Sequence, residues 1–193
     1  MPTLATDTLG GALLIIARNA IGGHFGHAAQ PVAALPALAD PGASFVTLTQ
    51  AGQLRGCIGS LEAVRPLATD VAQNAMAAAL KDPRFSPLGG EELARTRIEV
   101  SLLSPAEPIT FTNEADALTR LRPGIDGLIL TRGQRRATFL PQVWESLREP
   151  DQFMAQLKLK AGLPADYWDG QITLARYTVQ KWKEKSQEER AER

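Results

Sequence analysis

Apolar and polar residues alternate along this chain with two different periods, which separate predicted helices from predicted strands. From Leu9 to Ile21, apolar residues return every three or four positions, as on one face of an α-helix. Thr6 or Asp7 can cap its start, and Gly22-Gly23 ends it. The first element is therefore predicted to be a helix.

The segment FVTLTQAGQLRGCIG follows, in which Phe45 to Thr49 alternates apolar and polar residues. It predicts a β-hairpin with Phe45–Thr49 and Leu54–Ile58 as strands and QAGQ as the turn. Pro66 starts a further helix, which ends before the Asp-Pro pair of KDPRFSPL. RIEVSLLS alternates again and predicts a strand that carries Glu99 and Ser101 on the same face.

The second half of the chain shows similar signals. Asn113 can cap a short helix, GLILTRGQRRATFL predicts a hairpin that turns at 132–134, and PQVWESL predicts a helical turn. Asp151 can cap the helix QFMAQLKLKA, and QITLARYTVQKW predicts one last strand. Hairpins alternate with helices without repeated strand–helix units. This order favours an α+β fold with a mixed or antiparallel sheet flanked by helices.

Composition narrows the possible function classes. Lys and Arg number 21, as do Asp and Glu, so no broad electrostatic field favours nucleic acid or an anionic membrane. The run ALLIIA is too short to cross a bilayer, and the N-terminus lacks the order of a secretory signal. A single cysteine excludes an internal disulfide. We expect a cytoplasmic protein with no membrane partner, ending in a disordered charged tail at 186–193.

The single cysteine is the first candidate for chemistry. Arg55 and Cys57 are two residues apart on a predicted strand, so they should share a face, where a guanidinium would favour the thiolate. Gly56 and Gly59 would let a substrate or another backbone approach closely. The alternative is that Cys57 packs as a small buried apolar residue.

A cysteine nucleophile also needs a base within hydrogen-bonding distance. His24 and His27 lie in a glycine-rich loop, so neither a Cys-His pair nor a metal site is predicted. Glu99 is a better candidate, because β propensity disfavours glutamate in the middle of a strand. If its strand lies beside that of Cys57, Glu99 can pair with Arg55 or act as the base; otherwise it points to solvent.

Two further segments carry polar side chains that suit a ligand. In DPRF, Asp82 can cap a turn and Arg84 can bind a carboxylate or phosphate, unless the pair simply forms a salt-bridged Asp-Pro turn. In LPQVWE, Trp144 can form a pocket wall beside Gln142 and Glu145, or it can be a core tryptophan under a short helix.

Signatures of common cofactors are missing from the sequence. It has no CxxC pair, no three-cysteine cluster, no P-loop and no G-x-G-x-x-G loop, so no cofactor is predicted. The basic turn TRGQRR is more typical of a solvated hairpin tip than of a phosphate-binding surface. Nucleic-acid binding is therefore the weakest of the alternatives.

Six strings in order resemble the AMMECR-type domain, known in bacteria and archaea as AmmeMemoRadiSam system protein A. They are LRGCIG, DPRF, EVSLLS, PGIDGLIL, TFLPQVWE and LKLKAGL, and the likeness runs from about Phe45 to Trp182. The resemblance implies an α+β fold with two intimately packed lobes, here one domain over 1–185. It also implies association with a Memo-like protein and a radical S-adenosylmethionine enzyme.

Two hypotheses follow. In the first, the chain is an enzyme or enzyme component whose pocket holds a small molecule or a modified group on a larger substrate. In the second, the same pocket binds a ligand or a partner without catalysis, and the cysteine is an inert wall. The proposed catalytic residues are Cys57 and Glu99, and the proposed ligand-binding residues are Arg55, Gly56, Gly59, Asp82, Arg84, Ser101, Gln142, Trp144 and Glu145.

Overall fold

The computed structural model describes residues 4–185, with side chains described from Thr8 onward. The tail 186–193, expected to be disordered, lies outside the described residues. Contacts divide the chain into two compact units. The first runs to Leu103 and resumes at Gln180, and the second is Ser104–Val179.

The elements alternate between helices and strands. In chain order they are α1 (Leu4–His24), β1 (Ser44–Gln50), β2 (Gln53–Gly59), α2 (Leu67–Leu80), β3 (Arg97–Leu103), β4 (Glu107–Ile109), α3 (Glu114–Thr119), β5 (Gly127–Arg132), β6 (Arg135–Phe139), α4 (Pro150–Lys160), β7 (Thr173–Tyr177) and β8 (Val179–Lys183). Short 3-10 helices occupy Pro36–Leu38, Gly90–Arg95 and Pro141–Glu145.

The first unit is built on a four-stranded antiparallel sheet in the order β2-β1-β3-β8, so β2 and β8 are its edge strands. Helices α1 and α2 cover one face of this sheet. Alternate residues of the strands, among them Val46, Leu48 and Ile98, are fully buried in one cluster with Leu13 of α1 and Val71 of α2. The apolar half of the two-residue pattern therefore faces the helices.

The second unit has its own four-stranded sheet, in the order β4-β7-β5-β6. Its core joins α4 to the central strand β5: Phe153 and Leu157 are fully buried in one cluster with Leu128 and Leu130. The α+β fold class is confirmed, but the elements form two antiparallel sheets rather than one.

Most predicted elements are present, and the differences lie at their ends. Helix α1 begins at Leu4, so Thr6 and Asp7 lie inside it instead of capping it. Helix α4 begins at Pro150, whose fixed φ suits the first helical position, so Asp151 lies in the first turn. The predicted cap of α3 is confirmed, since Asn113 Oδ1 accepts the N–H of Asp116 at 2.9 Å.

The prediction of one last strand over QITLARYTVQKW is wrong. The segment forms β7, which pairs with β4 and β5 in the second sheet, and then β8, which joins the first sheet. The change takes place at Thr178, whose C=O accepts the N–H of Ser104 at 2.9 Å while its own N–H donates to Ser104 Oγ at 3.0 Å. Alternation alone does not show where a chain leaves one sheet for another.

A buried carboxylate ties α2 to the hairpin of β1 and β2. Asp70 is fully buried and accepts hydrogen bonds from the backbone and hydroxyl of Ser44 at 2.8 and 2.6 Å. Ser60 Oγ, Arg65 Nε and Asn74 Nδ2 donate to it at 2.7, 2.9 and 2.9 Å. One charge thus joins the start of β1, the end of β2 and the first turns of α2.

Within residues 4–185, no helix has both the length and the apolar character that crossing a membrane requires.

The Asp70 network gives a test of stability. Replacing Asp70 by Asn removes the charge. It also turns one acceptor oxygen into an amide donor that faces other donors. We therefore expect Asp70→Asn to lower the free energy of unfolding by about 3 kcal/mol. Urea unfolding measures this change. The exposed Asp40 serves as the matched control, because Asp40→Asn should cost about 0.5 kcal/mol or less. Equal stabilities of the two variants would contradict this role for Asp70.

Candidate functional site

Three adjacent strands bring the two proposed catalytic residues onto one face of the first sheet. Thr47 of β1 lies opposite Cys57 of β2 on one side and opposite Glu99 of β3 on the other. These three side chains alternate with residues that pack against the helices, so they lie on the face away from α1 and α2. All three are half-buried.

A second row lies beside the first on the same face. Phe45, two residues before Thr47, is opposite both Gly59 and Ser101. The structure therefore brings four of the proposed site residues together, with two residues of β1 between them. We call this set the Thr47 face: Phe45, Thr47, Cys57, Gly59, Glu99 and Ser101.

The thiol of Cys57 has a neutral hydrogen-bonding partner. Cys57 Sγ lies 3.3 Å from Thr47 Oγ1, and either atom can be the donor. The backbone N–H and C=O of Cys57 both point away from β1, which places Thr47 and Cys57 at a pair of positions where side chains come closest. Local geometry thus fixes the direction of the thiol.

The backbone of Cys57 is held by the DPRF segment. Its N–H donates to Asp82 Oδ2 at 2.9 Å, and its C=O accepts from the Arg84 guanidinium at 3.3 Å. Arg84 also donates to both carboxylate oxygens of Asp82, at 2.9 and 2.7 Å. Because β2 is an edge strand, this pair takes the place of a neighbouring strand at Cys57. Asp82 and Arg84 therefore form a salt-bridged turn that also holds β2.

Electrostatics in this turn favour the charged forms. The hydrogen bonds from Arg84 hold the pKa of Asp82 well below its usual range, although Asp82 is buried. The pKa of Arg84 is raised, first by its hydrogen bonds to Asp82 and to a smaller extent by the negative charge of Asp82. The guanidinium that contacts Cys57, through its backbone C=O, is therefore that of Arg84.

Arg55 has a different role from the expected one. The register between β1 and β2 shifts after Leu48, so Arg55 lies in a bulge with no opposite residue. Its guanidinium donates to both oxygens of Glu92, at 3.1 and 3.0 Å, and to the C=O of Ser86 at 2.9 Å. Arg55 therefore pairs with Glu92, and not with Glu99, the partner that the sequence allowed if the two strands were neighbours.

The Arg55 hydrogen bonds, with a further one from the N–H of Gly89, lower the pKa of Glu92 to about 2. Arg55 thus joins β2 to the segment that follows α2.

The two glycines beside Cys57 are required by packing within the first unit. A Cβ on Gly56 would lie 2.1 Å from the backbone oxygen of Ala78 in α2, and a Cβ on Gly59 would lie 2.2 Å from the Phe45 ring. Gly56 accommodates another backbone, one of the two possibilities that the sequence left open. The space beside Gly59 is taken by an aromatic side chain.

Glu99 is separated from Cys57 by a whole strand. The strand of Glu99 does not lie beside that of Cys57, because β1 runs between them, so their Cα atoms are about 10 Å apart. In the described part of the chain, no donor lies within hydrogen-bonding distance of the Glu99 carboxylate. Glu99 does not contact the thiol directly, but both side chains can contact a group placed over Thr47.

The residues of LPQVWE belong to the second unit. Trp144 is buried in its core, stacks on Phe153 with ring centroids 3.8 Å apart, and donates its indole N–H to the C=O of Asp126 at 2.8 Å. These contacts match the core tryptophan that the sequence allowed. Gln142 and Glu145 are exposed.

The two histidines lie away from the Thr47 face. His24 and His27 line separate surface grooves beside α1, and Cys57 lines neither of these two grooves. Over residues 4–185, no group of three or more His, Cys, Asp or Glu side chains is arranged to hold a metal ion.

Sequence reasoning missed Phe45 and Thr47 as members of the site. The available signal was the alternation in FVTLT. It already placed both side chains on the other face of the strand from Val46 and Leu48. What it lacked was the strand order, which puts β1 between the strands of Cys57 and Glu99.

Comparison with known proteins agrees with this arrangement of elements. A family model described as AMMECR1 matches residues 14–182. The chain belongs to the AMMECR1 family. The family resemblance found in the sequence is confirmed, and the matched range includes every residue of the Thr47 face.

Similar AMMECR1-family proteins occur in archaea and bacteria. A Methanothermobacter thermautotrophicus protein is 42% identical over 142 residues, which cover 70% of this chain and 72% of the relative. A Thermotoga maritima protein is 39% identical over 142 residues, which cover 72% and 76%. The crystal structure of the uncharacterized protein PH0010 from Pyrococcus horikoshii matches with a TM-score of 0.74 and 32% identity, over 90% of each chain.

The two kinds of glycine in this AMMECR1-family chain give a paired test. Gly56→Ala forces a Cβ against the α2 backbone, which cannot move easily, and should lower the free energy of unfolding by about 3 kcal/mol. Gly11 lies inside α1, and a Cβ added there would meet nothing within 4 Å, so Gly11→Ala should raise the free energy of unfolding by about 1 kcal/mol. Denaturant unfolding measures both. A stable Gly56→Ala variant would show that β2 does not press against α2.

Proposed function

We propose that this AMMECR1-family protein acts on a small molecule, or on a modified group carried by a larger substrate, that binds over Thr47. The observation that carries the proposal is the Cys57–Thr47–Glu99 row. A thiol and a carboxylate lie on one sheet face with a single threonine between them. Their separation of about 10 Å between Cα atoms leaves room for a reacting group between the two side chains.

Cys57 is the candidate nucleophile in this proposal. Its backbone is fixed by Asp82, its thiol is oriented by Thr47, and the Arg84 guanidinium lies 3.3 Å from its backbone oxygen. A nearby guanidinium favours the thiolate, which is the reactive form. The part of the Arg84 guanidinium that does not bind Asp82 is also suited to an anionic part of the ligand, since the side chain is 53% exposed.

Glu99 is the candidate acid or base. A carboxylate serves proton transfer best when it is not already neutralised by a fixed cation. Glu99 meets that condition within residues 4–185, whereas Asp82 and Glu92 are each bound by an arginine. Ser101 lies two residues further along the same strand and can donate a hydrogen bond to the same ligand.

The partners in the proposal come from the family resemblance. A Memo-like protein and a radical S-adenosylmethionine enzyme would act in the same modification pathway, and the group bound over Thr47 would be a substrate or product of that pathway. This chain has one cysteine, so an iron–sulfur cluster of the radical type would have to be held by the partner enzyme.

The alternative is a binding module in which Cys57 is an inert wall. One observation favours it: the group that contacts the thiol is the hydroxyl of Thr47, which is not a base. In that case Glu99 and Ser101 would hold the ligand by hydrogen bonds, and Cys57 would contribute only contact area.

Alkylation distinguishes the two functions, because the single cysteine makes every label report on Cys57. We expect iodoacetamide to label the folded protein at pH 7, and Arg84→Ala to slow labelling about fivefold, since it removes the positive charge beside Cys57. Arg84→Lys should restore part of the rate because it keeps the charge.

The matched control is Arg95→Ala, which removes an arginine with a side chain 66% exposed and should leave the rate unchanged. The nucleophile is contradicted if the folded protein is not labelled, or if Arg84→Ala and Arg95→Ala label at the same rate as the wild type. Either result leaves the binding module as the function of the Thr47 face.

A further inference from the structure

Edge strand β8 pairs with β3 in a register that two backbone hydrogen bonds define. The N–H of Ser104 donates to the C=O of Thr178 at 2.9 Å. The N–H of Glu184 donates to the C=O of Ile98, also at 2.9 Å. Both bonds fit one antiparallel alignment of the two strands, in which each residue of β8 has a fixed opposite residue in β3.

Two lysines of β8 lie on the same side of the sheet as the polar rows. In this alignment Lys183 is opposite Glu99, and Lys181 is opposite Ser101. Trp182, between the two lysines, packs on the core cluster on the helix side of the sheet. Because successive side chains of a strand alternate, the two lysines point to the other side. They therefore extend both rows onto a fourth strand.

Ser101 carries a buried hydroxyl on this face. The residue is only 7% exposed. In the part of the chain that the structure describes, its hydroxyl makes no hydrogen bond. Polar groups buried to this extent are nearly always hydrogen-bonded in proteins. The Ser101 hydroxyl is therefore available to a ligand that binds the Thr47 face.

The two lysines differ in the group that each one faces. Lys183 lies opposite Glu99, so these two charges offset each other, although no direct ion pair joins them within residues 4–185. Lys181 lies opposite Ser101, which is neutral, and among the same residues it has no carboxylate partner. One positive charge is thus left unmatched beside the unpartnered hydroxyl. An ammonium group and a hydroxyl together suit an anion.

An aromatic ring lies on the other side of Ser101. Phe45 of β1 is opposite Ser101 and is half-buried. The order Phe45, Ser101, Lys181 puts an apolar surface, a hydroxyl and an ammonium group on three neighbouring strands. About 10 Å separates the first and last Cα atoms. We call these three residues the Ser101 subsite.

We propose that the molecule bound at the Thr47 face is a small organic anion whose carboxylate or phosphate lies between Ser101 and Lys181. This inference rests on the proposed function, since it names the substrate class for the same face. The apolar part of the ligand lies over Phe45. The reacting group then lies over Thr47, which is two residues from Phe45 and about 7 Å away along β1.

The test uses the full chain and two probes that carry both a ring and an anion, phenyl phosphate and phenylacetate. We expect both to bind saturably and to shift the backbone amide NMR signals of Phe45 and Ser101. Lys181→Gln should weaken binding about tenfold, and added salt should weaken binding to the wild type. Benzyl alcohol lacks the charge and inorganic phosphate lacks the ring, so each should bind at least about tenfold more weakly.

Ser101→Ala tests the hydroxyl independently. Because the hydroxyl makes no hydrogen bond within the described residues, this change should leave the melting temperature unchanged or raise it. It should also weaken binding of phenyl phosphate about fivefold, since it removes a donor to the anion. A lower melting temperature, or unchanged binding, would contradict the role of Ser101 as a ligand donor.

The matched control for charge is Lys81→Gln. Lys81 is also an exposed lysine of the first unit, but it lines a groove beside α1 and α2. This variant changes the net charge as Lys181→Gln does and should bind phenyl phosphate as tightly as the wild type.

The proposal is overturned if neither probe binds, or if Lys181→Gln binds them as tightly as the wild type. Its failure can be distinguished from that of the proposed function. Absent binding, together with labelling of Cys57 that depends on Arg84, would remove the anion subsite and leave the reactive thiol. Binding that depends on Lys181 and Ser101, together with an unlabelled Cys57, would support the subsite and contradict the nucleophile.

Discussion

Edge strand β2 depends on a carboxylate where a sheet would normally supply another strand. Asp82 accepts the N–H of Cys57, and Arg84, which neutralises Asp82, donates to the C=O of the same residue. An unpaired backbone edge is open to other chains and poorly fixed. The side-chain pair satisfies this edge at one residue, the one that carries the thiol. The position of Cys57 relative to Thr47, and so the geometry of the Thr47 face, follows from that contact.

A second carboxylate acts in the same way at the other end of α2. Asp70, in the first turn of the helix, accepts the N–H of Ser44 at the start of β1. Asp82, just beyond the last turn, accepts the N–H of Cys57. Helix α2 is therefore tied to the hairpin at both ends by charged side chains, and Gly56 lets its backbone approach β2 between them. This close fit leaves the opposite face of the sheet to carry the polar row.

Much of the fold could be predicted from alternation and capping. The β1–β2 hairpin, α2, β3, the cap at Asn113 and the β5–β6 hairpin are all local features with local causes. The features that the sequence did not predict depend on contacts between segments that are far apart in the chain. No local sequence pattern indicates the strand order that separates Glu99 from Cys57, or the bulge that turns Arg55 toward Glu92. The same holds for the point at which the last segment passes from one sheet to the other.

Only part of the candidate site could be predicted, because its geometry also depends on the strand order. Cys57, Gly59, Glu99 and Ser101 were chosen by residue type and prove to share one face. Thr47, the residue between Cys57 and Glu99, carries no chemical signature of its own. The role of Asp82 was also hidden, because a carboxylate that replaces a strand looks in sequence like any Asp-Pro turn.

Hydrogen exchange at the backbone amide of Cys57, followed by NMR, tests most directly whether Asp82 holds the edge strand. We expect slow exchange in the wild-type protein and fast exchange in Asp82→Ala, with the amides of the central strand β1 remaining protected in both. Fast exchange at Cys57 in the wild type, or equal protection after Asp82 is removed, would show that this carboxylate does not hold the strand.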